Sequence, residues 1–293
     1  MAIKKEQKNE ISSKEINDIN TFIEKVCAQA QVPHLVSSEK LIEYGAQNLM
    51  IGKKWNDLNK QALSKEAVKK YRYFDLKRTF YGIVNAYKKI QDSVKNNEDI
   101  MFVATKNAEI SAFVKQQCEA NGLFYVTKRW LGGILTNFKT VKASINKLNK
   151  LIALQDSGEI KKYNKKEQAQ LIREYEKLNN FIGGVRTMVR PPKLLVILDS
   201  VVENIAVKEA KKINASIIAL SNSNANPKDI DYNIPCNTMS KKTNWLILSI
   251  LFDAAAQIKG NKINVVGKKD NEIVCPYNTT SPTEKKSIIS KSK

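Results

Sequence analysis

Apolar residues are grouped in two ways along this chain, in unbroken runs of four or five and in series spaced three and four apart. Ile100-Met101-Phe102-Val103-Ala104, Leu123-Phe124-Tyr125-Val126, Leu194-Leu195-Val196-Ile197-Leu198 and Ser216-Ile217-Ile218-Ala219-Leu220 have strand length, and Asp231-Tyr232-Asn233-Ile234 before Pro235 makes a short last strand. Between them, Ile110, Phe113, Val114 and Cys118 lie on one helix face closed by Asn121-Gly122, and Ile205, Ala206, Ala210 and Ile213 lie on another. Strands apolar at every position must be covered on both faces, and single helices between them return the chain to the same end. The pattern therefore predicts an α/β fold with a doubly wound parallel sheet. The segment from Thr243 to Ile258 is apolar nearly all round and predicts the most buried helix.

Residues 134–182 break this alternation. Phe138, Val141, Ile145, Leu148 and Ile152 are spaced 3, 4, 3, 4, and Leu171, Tyr175, Leu178 and Ile182 are spaced 4, 3, 4 beyond a polar turn at Gln155-Asp156-Ser157-Gly158. Two seams of matching length predict an inserted antiparallel helical hairpin, a short coiled coil. Its outer faces carry Lys139, Lys142, Lys147, Lys150, Lys161, Lys162, Lys165 and Lys166, a set better suited to phosphate contacts than to an ordinary solvated face.

Charge sharpens the picture. The 293 residues hold 49 Lys plus Arg against 29 Asp plus Glu, a formal net charge of +20, so polyanions are the expected partners. Residues 1–40 are neutral by count and form an N-terminal extension, partly helical or flexible; residues 259–293 carry an excess of Lys and read as a solvated, flexible basic tail. Most of the excess belongs to residues 41–258, which points to a basic binding surface on the folded body. No apolar run reaches membrane-spanning length and no secretory signal opens the chain, so a cytoplasmic protein is expected. Cys27, Cys118, Cys236 and Cys275 are too scattered for a zinc knuckle or a disulfide framework, and read as free thiols. The single histidine, His34, lies in a proline-marked loop and removes most His-dependent chemistry.

The doubly wound sheet invites a second reading, an enzyme acting on a phosphorylated metabolite or nucleotide. Its usual equipment is missing: the loops after Ala104 and Leu198 read Thr105-Lys106-Asn107-Ala108 and Asp199-Ser200-Val201-Val202, with no glycine-rich phosphate cradle. Asp199 fits a capping role better than an acid–base pair. No catalytic residue, metal or cofactor is expected. The glycine pairs Gly132-Gly133 and Gly183-Gly184 stand at the two roots of the hairpin, where sharp reversals need them. Beside them gather Lys128, Arg129, Trp130, Arg186 and Arg190, cationic and planar groups suited to phosphate pairing and base stacking in folded RNA. Trp130 equally fits a core anchor.

Arg129-Trp130-Leu131-Gly132-Gly133-Ile134-Leu135-Thr136-Asn137-Phe138-Lys139-Thr140 resembles the signature of the bacterial small-subunit ribosomal protein S-two family. Ile205 through Ala210, and Asn224-Ala225-Asn226-Pro227 through Pro235, are similar at the family's spacing, with weaker matches at Lys53-Lys54-Trp55-Asn56, Asp75 to Thr79 and Phe102 to Lys106. The resemblance implies a flavodoxin-like three-layer α/β/α body, residues 41–133 and 183–258, with the hairpin of residues 134–182 inserted. It implies a non-enzymatic structural constituent of the small ribosomal subunit. Such a protein binds ribosomal RNA near the head–body junction beside neighbouring ribosomal proteins, and in many bacteria docks ribosomal protein S-one. No membrane or small-molecule substrate is implied. Carried over residue by residue, Lys53, Lys54, Trp55, Lys128, Arg129, Trp130, Asn137 and Lys139 face RNA. The chain departs from the family at Gln47 and Met50, where histidines are usual. It departs again at Ser200-Val201-Val202, where a proline and two cations are usual, and at Cys236-Asn237-Thr238.

Overall fold

A computed structural model describes residues 13–48, 56–63 and 73–277. At its centre lie five strands, β1 (Ile100–Val103), β2 (Phe124–Val126), β3 (Leu194–Ile197), β4 (Ser216–Ser221) and β5 (Tyr232–Pro235), in the order β2-β1-β3-β4-β5. Every pair is parallel, in a register that sets Met101 against Phe124 and Leu195, and Leu195 against Ile217. The order in which successive strands are added reverses between β1 and β3, with the strands themselves parallel, as in doubly wound α/β folds.

Because side chains alternate along a strand, the runs seen in the sequence feed two cores. Ile100, Phe102, Leu194, Val196, Ile218 and Leu220 pack with apolar residues from α1 (Ser13–Ala30), α2 (Ser38–Glu43), α3 (Leu76–Lys95), α4 (Ala108–Asn121) and α8 (Lys241–Lys259). On the other face Met101, Val103, Leu195, Ile197 and Ile217 pack with α5 (Phe138–Asp156), α6 (Lys165–Ile182) and α7 (Asn204–Lys212). The helix expected over Thr243–Ile258 is the most buried: every residue from Thr243 to Ala256 is shielded, and Phe252 stacks on Phe102 with ring centroids 4.2 Å apart. Asn107 caps α4 by accepting from the backbone N–H of Glu109 and Ile110, and Gly122 ends it at φ 58°, as the Asn-Gly signal predicted. α5 and α6 are in contact, with Lys147 paired to Glu174. No helix among the described residues is long and apolar enough to cross a membrane.

Two segments differ from the sequence expectation. Residues 259–277 do not behave as a solvated tail: Val265, Ile273 and Cys275 are buried. The carboxylate of Asp253 in α8 accepts from the backbone N–H groups of Asn264, Val265 and Val266 at 2.7, 2.6 and 2.9 Å, so the chain beyond the last helix is tied into the core. The apolar residues responsible are too widely spaced to show a period. Helix α3, not anticipated, packs on both α8 and β5. Phe80, Ile83, Val84, Tyr87 and Ile90 are its buried stripe.

Candidate nucleic-acid interface

Beyond the end of β2 the chain crosses the sheet and climbs into α5. Lys128 and Arg129 are exposed, and the next residue turns inward. Trp130 is 7% exposed, with its indole Nε1 donating to Glu209 Oε1 at 3.0 Å. This corrects its candidacy as a base-stacking residue: a ring enclosed in the core has no face to offer, and the anchoring alternative is the one the structure adopts. Glu209, on the buried side of α7, also accepts from the backbone N–H of Gly133 at 2.7 Å and of Leu135 at 3.0 Å. Longer bonds reach it from the N–H and the hydroxyl of Thr136. Burial alone would raise this carboxyl, but the donors of Gly133, Trp130, Leu135 and Thr136 outweigh it and hold the group below its ordinary value. Gly133 sits at φ 93°, where a side chain would be strained. Asn137 and Lys139, both exposed, follow at the start of α5, with the Asn137 side-chain oxygen accepting from the Thr140 hydroxyl at 2.9 Å.

The chain returns from α6 along the outer edge of β2. A Cβ on Gly184 would lie 2.3 Å from the carbonyl oxygen of Tyr125, so only glycine permits this approach. The close packing leaves an open cleft of about 620 Å³ at the sheet edge, with Lys115, Tyr125, Lys128, Asn179 and Arg186 among its lining residues. Two of the expected cations, Lys128 and Arg186, thus meet in one cleft. Arg190 does not join them. It pairs with Asp99 at 2.9 Å, and Asp99 precedes β1, so this pair lies at the opposite end of the parallel strands from Lys128. Lys53, Lys54 and Trp55 lie outside the described residues. All eight lysines of the 139–166 stretch are exposed, and Lys147 and Lys162 are paired with Glu174 and Glu159.

A profile of the family described as Ribosomal protein S2 matches residues 41–258, which include the whole Glu209-bound segment. The chain belongs to the ribosomal protein S2 family. Similar proteins named small ribosomal subunit protein uS2 occur in Ureaplasma urealyticum, 42% identical over 84% of this chain and 70% of the relative, and in Mycoplasma genitalium, 36% identical over 89% and 90%. A third, from Petrotoga mobilis, is 38% identical over 79% of this chain and 80% of the relative.

In this family member the crevice at the sheet's reversal point, where doubly wound enzymes seat their ligands, is filled by the chain's own groups. Asp199 Oδ2 accepts from Lys106 Nζ at 2.7 Å and from the Thr238 hydroxyl at 2.8 Å, while Oδ1 accepts from the backbone N–H of Val201 and Val202. Asp199 thus closes the turn that precedes α7 and does not cap the helix itself, whose N-cap position is Glu203, and Lys106 neutralises its charge. Four residues on, the buried Glu203 accepts from Thr105, and burial raises its carboxyl above the ordinary value. Glu209 and Lys106 were not singled out from the sequence. An acid between Ala206 and Ala210 on an apolar helix face was a signal for the first, since a buried carboxylate must find donors.

Proposed function

We propose that this chain holds folded small-subunit ribosomal RNA through the exposed groups Lys128, Arg129, Asn137, Lys139 and Arg186, gathered where α5 and α6 leave the sheet. As a member of the ribosomal protein S2 family it is a structural constituent of the small ribosomal subunit and not an enzyme. The observation that carries the RNA-facing assignment is the segment of residues 128–139. Trp130, Ile134 and Leu135 are turned inward, with the Trp130 indole and the backbone N–H groups of Gly133 and Leu135 bonded to Glu209, while its cations and Asn137 stay exposed. Lysines there contact phosphate with little sequence preference, and the fold fixes where they do so.

On this reading residues 41–133 and 183–258 form a flavodoxin-like body, and α5 and α6 form an antiparallel hairpin, residues 134–182, whose outward lysines extend the phosphate-binding surface. The place near the head–body junction, the neighbouring ribosomal proteins and ribosomal protein S-one as a partner belong to the same proposal, as does a ribosome-bound life in the cytoplasm. Lys53, Lys54 and Trp55 join the set through the family resemblance. Arg190, paired with Asp99 at the opposite end of the strands, contributes less.

The test replaces Lys128 and Arg129 together by Ala and measures binding to small-subunit RNA across a salt series. The slope of log affinity against log salt should flatten by about 2, one unit for each lost phosphate contact. In competition with the native chain the variant should be under-represented in assembled subunits. Equal incorporation and an unchanged slope would overturn the assignment of this face.

A further inference from the structure

We propose that Glu209 is the positioning residue of the RNA-facing segment, a single carboxylate that sets how the cations before and after it are presented. The inference rests on the reading of residues 128–139 as an RNA-binding face. Oε1 of Glu209 receives Trp130 Nε1 and the Gly133 N–H; Oε2 receives the N–H groups of Leu135 and Thr136 and the Thr136 hydroxyl. These donors occupy the interval between Arg129 on one side and Asn137 and Lys139 on the other. Within that interval the backbone makes two bonds of its own, Ile134 N–H donating to Leu131 at 3.2 Å and Asn137 N–H to Gly133 at 2.8 Å, fewer than the five that Glu209 receives. Gly132 and Gly133 add freedom, so the shape of the crossing is dictated from outside, by a side chain of α7.

Helix α7 is itself fixed. Ala206, Val207 and Ala210 are buried against the sheet, so Glu209 transmits the position of the rigid body to the segment. Two acceptor oxygens are required, each with donors on it. A glutamine would turn an amide N–H₂ toward one of the two donor groups, and an aspartate would fall short by a methylene. Cations held in place before RNA arrives bind without the cost of ordering the loop, and the number of phosphates met at once depends on that order. Glu209 touches no RNA in this scheme and acts through Lys128, Arg129 and Lys139.

The experiment compares the full chain with its Glu209→Gln variant, the Lys128→Ala/Arg129→Ala variant serving as reference, in binding to small-subunit RNA over a salt series. Amide hydrogen exchange is read in parallel. For Glu209→Gln the salt slope should flatten by about 1 to 2, as phosphate contacts drop out. The amides of Gly133, Leu135 and Thr136 should exchange faster while those of β1 and β3 keep their protection. A stabilising role alone would lower the folded fraction and leave the slope where it was. An unchanged slope in Glu209→Gln beside a flattened one in the double variant overturns the positioning role and leaves the RNA face standing. An unchanged slope in the double variant removes the RNA face itself. Should Glu209→Gln fail to fold, Trp130→Phe deletes one donor and keeps an aromatic filler; a smaller flattening of the same sign supports the proposal, and a native slope overturns it.

Discussion

At the scale of the residue, buried carboxylates do most of the shaping, and each does it by accepting from backbone N–H groups that would otherwise be orphaned. Glu209 shows the pH consequence. Its folded carboxyl is held below its ordinary 4.5 by donors that outweigh burial, so its contribution to stability is complete above that value and is lost as pH falls through the lowered one. Urea unfolding should find Glu209→Gln less stable than the native chain by about 1–3 kcal/mol at pH 7, and the gap should narrow at pH values below the ordinary carboxylate range. A gap that stays constant down the series would mean the carboxylate is not the source. Asp253 offers a second case. Asp253→Ala leaves three backbone N–H groups without their acceptor and should cost about 3 kcal/mol, with new proteolytic cuts confined to the segment of residues 260–277. Native resistance to proteolysis there would show that Val265, Ile273 and Cys275 hold the segment unaided.

At the scale of the element, close approach decides as much as propensity. Gly184 lies so near the Tyr125 carbonyl that Gly184→Ala forces β2 or the returning chain to shift, a loss of about 1–3 kcal/mol in urea unfolding. Gly158, at φ 70° with open space around it, should cost less for the same change, about 1 kcal/mol from backbone strain alone. If the two variants unfold together, the contact at Tyr125 is slacker than described. These elements also show what a sequence reveals. The strands were legible because Ile100 to Val103 and Leu194 to Ile197 are buried on both faces, a demand that only continuous apolar residues satisfy. Helix α4 announced its end through Asn121-Gly122. Helix α3 carries an equally clear stripe in Phe80, Ile83, Val84, Tyr87 and Ile90. The role of Trp130 was not legible, since a tryptophan beside Lys-Arg has the same local pattern whether it stacks on a base or anchors a turn. The deciding partner, Glu209, stands 79 residues away. The burial of Val265, Ile273 and Cys275 was hidden for the same reason, because the segment is tied down by a carboxylate on α8.

At the scale of the whole molecule, a net charge of +20 on a chain whose body carries most of the excess makes association with RNA steeply salt-dependent. The fold then distributes the cations. Lys106 is spent on Asp199 inside the sheet's crevice, and Arg190 and Lys193 are paired with Asp99 and Glu98 at one end of the strands. Lys128, Arg129 and Lys139 stay exposed around the roots of α5 and α6, the region where family signature and surface charge coincide. The most direct measurement is a density map of the small ribosomal subunit with this chain in place. The account predicts Lys128, Arg129 and Lys139 against the RNA backbone, with the Trp130 indole still inside the protein and bonded to Glu209. A map in which that face looks into solvent, while ribosomal RNA lies against another side of the sheet, would contradict it.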